Sequence, residues 1–306
     1  MKKLLSIISI LVLLLISSLT ITAQEKNQYT GALLWKVSGN GLPQPSYILG
    51  THHFYQVDFV DSIPELKNVI EDVDQVVGEL LLKDVLALQA RLQQAAIMSP
   101  DETYNDLLSE EDFQVLDDGL KNMIGAGLGQ FGQLKPGMLS MLYTITLYSK
   151  LYPQFNPMSH EAIDAYVQRV AAEDGKTVLG LETVDDQIYA LFDAEPIKDQ
   201  AESLVCSIRN IDGAKEQMDK LNNFYKSGDL EEMYNLSFNN PKELCKISPS
   251  QKSAILENRN NKWMEKLPNI LNGKSSLIAV GALHLAGKEG LLYQLAQRGY
   301  KVEPVE

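Results

Sequence analysis

The chain holds four histidines, and two of them occupy the same place in one short pattern. Ser46-Tyr47-Ile48-Leu49-Gly50-Thr51-His52-His53 and Ser276-Leu277-Ile278-Ala279-Val280-Gly281-Ala282-Leu283-His284 are each an apolar run, a glycine, two residues and a histidine. Such a run reads as a buried strand and its glycine as a sharp exit. His53 and His284 then stand just past the carboxyl ends of two strands, the edge where open α/β sheets bind ligands. Two imidazoles with a carboxylate and an open position suit a divalent metal that activates water. Two core histidines capping strands is the competing reading. The long-range spacing, unlike that of a helical H-E-x-x-H, does not choose between them.

A carboxylate for that edge is present. Asp74-Gln75-Val76-Val77-Gly78-Glu79-Leu80-Leu81-Leu82 has the apolar density of a strand buried on both faces, with Glu79 inside it. A buried carboxylate is costly unless paired or bound to a cation. The alternative is a strand that ends at Gly78 and leaves Glu79 in solvent. Lys176 to Thr183 reads as a further strand running into Gly180 and Glu182. Glu182 is a second acid for the same edge, or an N-terminal charge for the next helix. Ile255, Arg259, Trp263 and Leu267 recur every four residues, so Arg259 lies on the apolar face of a helix spanning Lys252 to Leu267. An inward guanidinium needs an acceptor, either a structural carboxylate or an anionic substrate or intermediate. His160 falls in the first turn of a helix capped by Ser159 and is expected at the surface.

The elements that carry these residues alternate strand and helix, which points to a mixed α/β fold: a central mixed sheet flanked by helices. Leu33–Ser38 and Ser46–Gly50 read as a hairpin around a Gly- and Pro-rich turn, and Tyr300–Val305 as a closing strand. Helical patterns fill 84–174 as a large insertion, and more follow over Ile197–Ile211 and Leu221–Tyr234. The apolar helix Met138–Leu151 is read as core. Gly125, Gly127, Gly129 and Gly132 form no nucleotide fingerprint, because no strand precedes them.

Residues 1–23 have the layout of a secretory signal peptide: Lys2 and Lys3, an apolar run from Leu4 to Leu19, and Ala23 before the cut. An uncleaved anchor is the alternative. The expected product is one exported domain, residues 24–306, with no stable membrane insertion. The formal charge is −13 and the acids are dispersed, which argues against nucleic-acid or anionic-membrane partners. In an oxidising compartment Cys206 and Cys245 either bond, closing a loop worth roughly 3–4 kcal/mol, or remain free thiols.

Taken together, Leu34-Trp35-Lys36-Val37, Gly50-Thr51-His52-His53, Val77-Gly78-Glu79-Leu80, Leu134-Lys135-Pro136, Gly180-Leu181-Glu182-Thr183, Asn258-Arg259-Asn260-Asn261-Lys262-Trp263 and Gly281-Ala282-Leu283-His284 resemble the TraB/GumN group of bacterial proteins. The closing Arg298-Gly299-Tyr300-Lys301-Val302 fits as well. That group is related to the animal Tiki metalloproteases. The resemblance implies an erythromycin esterase/ChaN-like fold and a metal-dependent hydrolase, a peptidase first of all, acting on a peptide or small-molecule substrate. It implies His53, His284 and Glu79 as ligands of a divalent metal (Mn, Co, Fe or Zn), with Glu79 a ligand or the general base. Glu182 would support the site, and Arg259 would stabilise an oxyanion or hold a substrate carboxylate. His52 stands where many relatives carry an apolar residue, as a supporting group or a packed histidine. The ChaN relation, with Tyr143 and Tyr148, keeps haem or iron binding as the alternative. A signalling or surface-interaction protein without catalysis is a third reading.

Overall fold

The computed structural model describes residues 29–81 and 85–306. The expected signal peptide, residues 1–23, lies outside them. Six strands form one mixed sheet: β1 (Leu34–Gly39), β2 (Ser46–Thr51), β3 (Gln75–Gly78), β4 (Thr177–Gly180), β5 (Ser276–Gly281) and β6 (Tyr300–Pro304), in the order β4-β3-β5-β2-β1-β6. The neighbours β4, β3, β5 and β2 are mutually parallel. β1 is antiparallel to β2, its hairpin partner, and to β6. The apolar runs explain the placement. β3 is buried at all four positions and β5 at its first five, as strands covered on both faces must be.

The longer helices, in chain order, are α1 (Leu66–Asp72), α2 (Val85–Ala95), α3 (Glu110–Ile124), α4 (Pro136–Leu151), α5 (Ile163–Glu173), α6 (Ile197–Arg209), α7 (Ile211–Ser227), α8 (Leu230–Phe238), α9 (Asn258–Gly273) and α10 (Leu291–Gln297). They serve two apolar cores. The first lies on the sheet and includes Trp35, Ile48, Val77, Ile163, Val167, Trp263 and Ile278. The second lies among helices and includes Leu116, Leu120, Leu139, Tyr143, Leu147, Leu204 and Val205. The stretch expected as an insertion, 84–174, therefore divides. α3 and α4 pack with α6 in the second core, while α5 packs on the sheet.

Three elements differ from the sequence expectation for identifiable reasons. The helix expected over Leu221–Tyr234 is two helices, α7 and α8. Gly228 ends α7 with φ +68°, in the left-handed region that favours glycine, and a Cβ there would meet the Ala32 backbone nitrogen at 2.5 Å. The helix expected to stop at Leu267 continues through Pro268 to Gly273. Proline lacks the amide that would bond the Met264 carbonyl, and Arg298 Nη1 donates to that carbonyl instead, at 2.5 Å. The helix expected from Ser159 begins at Ile163, after a lead-in segment whose Ala162 bridges Gln56.

Candidate functional site

Parallel register brings four strand ends to one edge. Thr51 lies beside Gly281, and Gly78 lies beside both Ala279 and Gly180. The residues just past these ends are His53, Glu79, Glu182 and His284. The backbone holds two of them together, since the amides of Leu181 and Glu182 both donate to the Glu79 carbonyl at 3.0 Å. β3 does stop at Gly78, yet Glu79 is not in solvent. Its side chain is 13% exposed and paired.

Arg259 is the partner of both acids. It sits one residue into α9, immediately after a π-helical turn over Ser253–Glu257, the kind of widened turn that recurs at functional sites. Its Nε and Nη2 fork onto Glu182 at 2.9 and 2.6 Å, and Nη2 also donates to Glu79 Oε2 at 2.6 Å. Its Nη1 donates to the Ile255 carbonyl at 3.1 Å and to His284 Nε2 at 3.0 Å. A guanidinium has five N–H donors, and all five are engaged. The guanidinium also lies 4.9 Å over the Trp263 ring, and Trp263 Nε1 donates to Glu182. Of the two acceptors expected from sequence, the structure shows structural carboxylates.

His284 lies in a short 3-10 turn after β5 and is 6% exposed. Its tautomer follows from its neighbours. Asn260 Nδ2 donates to the carbonyls of His284 and Glu289, so Asn260 Oδ1 faces the imidazole Nδ1, 2.7 Å away. Nδ1 therefore carries the proton and Nε2 accepts from Arg259. Burial first, then the Arg259 charge and His53, push the His284 pKa down to about 3, against the pull of Glu79. Burial disfavours the charged form of Glu79, yet Arg259, His284, His53 and the Gly281 amide (2.8 Å from Oε1) hold it at about 2. The site thus has a fixed anion, a fixed cation and a neutral imidazole.

His53 is different. Its side chain is 66% exposed, and Nδ1 lies 3.7 Å from Asp164 Oδ2, an ion-pair distance rather than a hydrogen bond. Asp164 raises its pKa above the ordinary value, against desolvation, and Glu79 raises it further. The side chain is open to solvent, so this pairing is screened. The expected surface residue His160 is half-buried, because α5 starts three residues after it, and its Nε2 donates to the His53 carbonyl at 2.5 Å. His52 is a packed histidine. Its ring contacts Phe54, Tyr55 and Tyr225, and its pKa is lowered to about 3 by burial, His53 and His160.

His53, Glu79, Arg259 and His284 line one cavity of about 310 Å³, together with Thr51, His52 and an apolar wall that includes Leu221, Met233, Phe238 and Ile255. Glu182 lies behind Arg259, with its side chain 3% exposed. A larger neighbouring cavity of about 500 Å³ shares Phe54 and is lined by Tyr148, Tyr152 and Asn222. It holds Tyr148, while Tyr143 is buried in the second core.

The donor set invites a metal. The Asn260–His284 pair has the outer-partner arrangement of a ligating imidazole, and Glu79 is anionic. As placed, however, Arg259 occupies both His284 Nε2 and Glu79 Oε2. Among the described residues no three His, Cys, Asp or Glu side chains group closely enough to hold a metal ion. The donors therefore do not fit a cation in this arrangement.

Asp164, Asn260 and His160 escape sequence reasoning. Asn260 adjoins Arg259 but lies off the four-residue spacing, and a first-turn acid such as Asp164 reads as a solvated helix charge. Comparison with known proteins adds the lineage. No curated protein and no solved structure matches the chain. The model of one family, described as the TraB/PrgY/gumN family, matches residues 33–304. Its span runs from the residue before β1 to the end of β6 and takes in every residue of the site, so the chain belongs to the TraB/PrgY/gumN family.

Proposed function

We propose that the protein is an exported hydrolase that activates water in the cavity at the carboxyl edge of the sheet and cleaves a peptide or related acyl bond. One observation supports it above the rest. An exposed, carboxylate-paired imidazole and a buried carboxylate held ionised by Arg259 line the same cavity. At a pH above its raised pKa, where the ring is neutral, His53 takes the proton from water as general base. Glu79 stabilises the positive charge that develops on His53. Arg259, with its donors all engaged, holds Glu79, Glu182 and His284 in place rather than binding the substrate.

The same proposal extends to the fold relatives and the metal implied by the family. An erythromycin esterase/ChaN-like sheet accords with four parallel strands presenting the site at one edge. A divalent metal (Mn, Co, Fe or Zn) on His53, His284 and Glu79 would supply a Lewis acid for the bound water. It requires Arg259 to leave His284 Nε2 and Glu79.

The test incubates residues 24–306 with a panel of peptides and acyl esters, after chelation and after adding back Mn or Zn, with metal content measured. Hydrolysis that drops at least ~10²-fold in His53→Ala and Glu79→Gln supports the reading. Dependence on added metal, lost in His284→Ala, selects the metal form. A wild-type protein inert on the whole panel under both conditions, or a fully active His53→Ala variant, would falsify it.

A further inference from the structure

The two site imidazoles are held by different chemistry. His284 is oriented by an amide, Asn260 Oδ1, at 2.7 Å. His53 faces a carboxylate, Asp164 Oδ2, at the ion-pair distance of 3.7 Å. An amide partner fixes a tautomer without favouring a charge. A carboxylate partner fixes the tautomer and also stabilises the imidazolium that forms when the ring takes a proton. A pair of like groups in unlike settings is how a site divides its acid–base roles.

The chain builds a holder for His53 from one segment. His160 Nε2 donates to the His53 carbonyl at 2.5 Å, which fixes the backbone. Ala162 bridges Gln56, which ties the loop after β2 to the start of α5. Asp164, in the first turn of α5, then reaches the ring. Its other oxygen, Oδ1, is buried without a hydrogen-bond partner. A buried carboxylate oxygen left unsatisfied destabilises the fold. A carboxylate serving only stability is poorly placed there, and such exceptions call for a functional account.

We infer that Asp164 is the positioning residue of His53: it holds the ring with Nδ1–H towards its carboxylate, so that the Nε2 lone pair faces the cavity. This rests on the reading of His53 as the proton carrier. The groups around that ring are Asp164 and His160 from the α5 segment, His52 from its own loop, Glu79 after β3 and Arg259 on α9.

The experiment reads the tautomer directly, with no substrate needed. Long-range ¹H–¹⁵N spectra of residues 24–306 are assigned with single His→Gln variants. In the wild type, neutral His53 carries its proton on Nδ1. In Asp164→Ala the proton moves to Nε2, the form free imidazole prefers, while Asp164→Glu restores Nδ1–H. His284 keeps Nδ1–H throughout and so reports that each variant is folded. If Asp164→Ala loses that His284 signal, Asp164→Asn, which preserves shape, takes its place and shows a weakened or shifted Nδ1–H signal. On any substrate the wild type hydrolyses, Asp164→Ala lowers kcat about 10²–10⁴-fold with little change in KM. An Nε2–H form of His53 in the wild type, an Nδ1–H form that survives in Asp164→Ala, or an Nδ1–H signal unchanged in Asp164→Asn overturns the assignment. A wild type that hydrolyses nothing removes the proposed function but leaves the tautomer result to decide this one.

Discussion

Arg259 bonds Glu79, Glu182 and His284, and its worth lies in what it neutralises. Glu182 and Glu79 are 3% and 13% exposed at the side chain, and removing one partner of a buried ionic cluster typically costs about 3–5 kcal/mol. The same burial makes the fold sensitive to acid, with a sign that can be worked out. The His284 pKa falls from 6.5 to about 3 in the fold, and that of Glu79 from 4.5 to about 2. Below pH 6.5 the unfolded chain protonates its histidine while the folded one does not. Below 4.5 the same holds for the glutamate. Both contributions are present above the unfolded values and lost as pH falls through the window from 6.5 to about 2. Urea denaturation should therefore show a loss on the order of 2 kcal/mol between pH 7 and 4 that His284→Gln lacks. Wild-type and variant curves that run parallel across that range would sink the argument.

At the scale of the element, the two glycines of the paired motifs do not act as turns. Gly50 lies within β2 and Gly281 ends β5, and neither has a positive φ. Gly50 admits the 3-10 turn that carries His284: a Cβ on it would stand 3.2 Å from both Cα and Cβ of Ala282 and 3.3 Å from Leu285. Gly281 leaves room for the Glu79 carboxylate against its own amide, with Oε1 3.4 Å from where a Cβ would be. Gly50→Ala should therefore destabilise the protein by about 1–3 kcal/mol, as overpacking of a core does. It should also disturb the Nδ1–H signal of His284. Gly129→Ala, with nothing within 4 Å of the added carbon, is the control. Equal denaturation midpoints for the two variants would refute the close-approach reading.

At the scale of the whole molecule, two cores are joined along α7. Its start packs Ile211, Ala214 and Met218 against the helical core, and its end packs Tyr225 into the sheet core. The disulfide between Cys206 and Cys245 is a second tie. Cys206 lies on α6 of the helical core, and Cys245 follows α8, which packs Met233 and Tyr234 on the sheet core. Cutting it lengthens the free chain by a loop of 39 residues, worth roughly 3–4 kcal/mol in the chain-entropy model. Both tryptophans, Trp35 and Trp263, are in the sheet core, so fluorescence follows that core while far-UV circular dichroism follows all the helices. In Cys206→Ala/Cys245→Ala the two urea transitions should separate, the circular dichroism change coming first, whereas in the oxidised wild type they coincide. Transitions that stay together in the variant would show that α7 alone couples the cores.

The sequence by itself located the strands. Apolar runs closed by glycine are local patterns, and burial on both faces puts them in the middle of the sheet, although β3 stops at Gly78, short of the Glu79 that its run takes in. That was enough to bring His53, Glu79, Glu182 and His284 to one edge, and the four-residue spacing of Ile255, Arg259, Trp263 and Leu267 was enough to turn Arg259 inward. Only the tertiary structure decided who partners whom. Arg259 meets Glu182 across 77 positions and Glu79 across 180, and no periodicity reaches that far. Nor could a local pattern say that Asn260 orients one histidine and Asp164 the other, or that Arg298 would satisfy the carbonyl freed by Pro268. The physical reason is the same in each case. Secondary structure is selected by neighbours a few residues away, whereas the charge and tautomer of a buried group are set by whatever the folded chain places beside it.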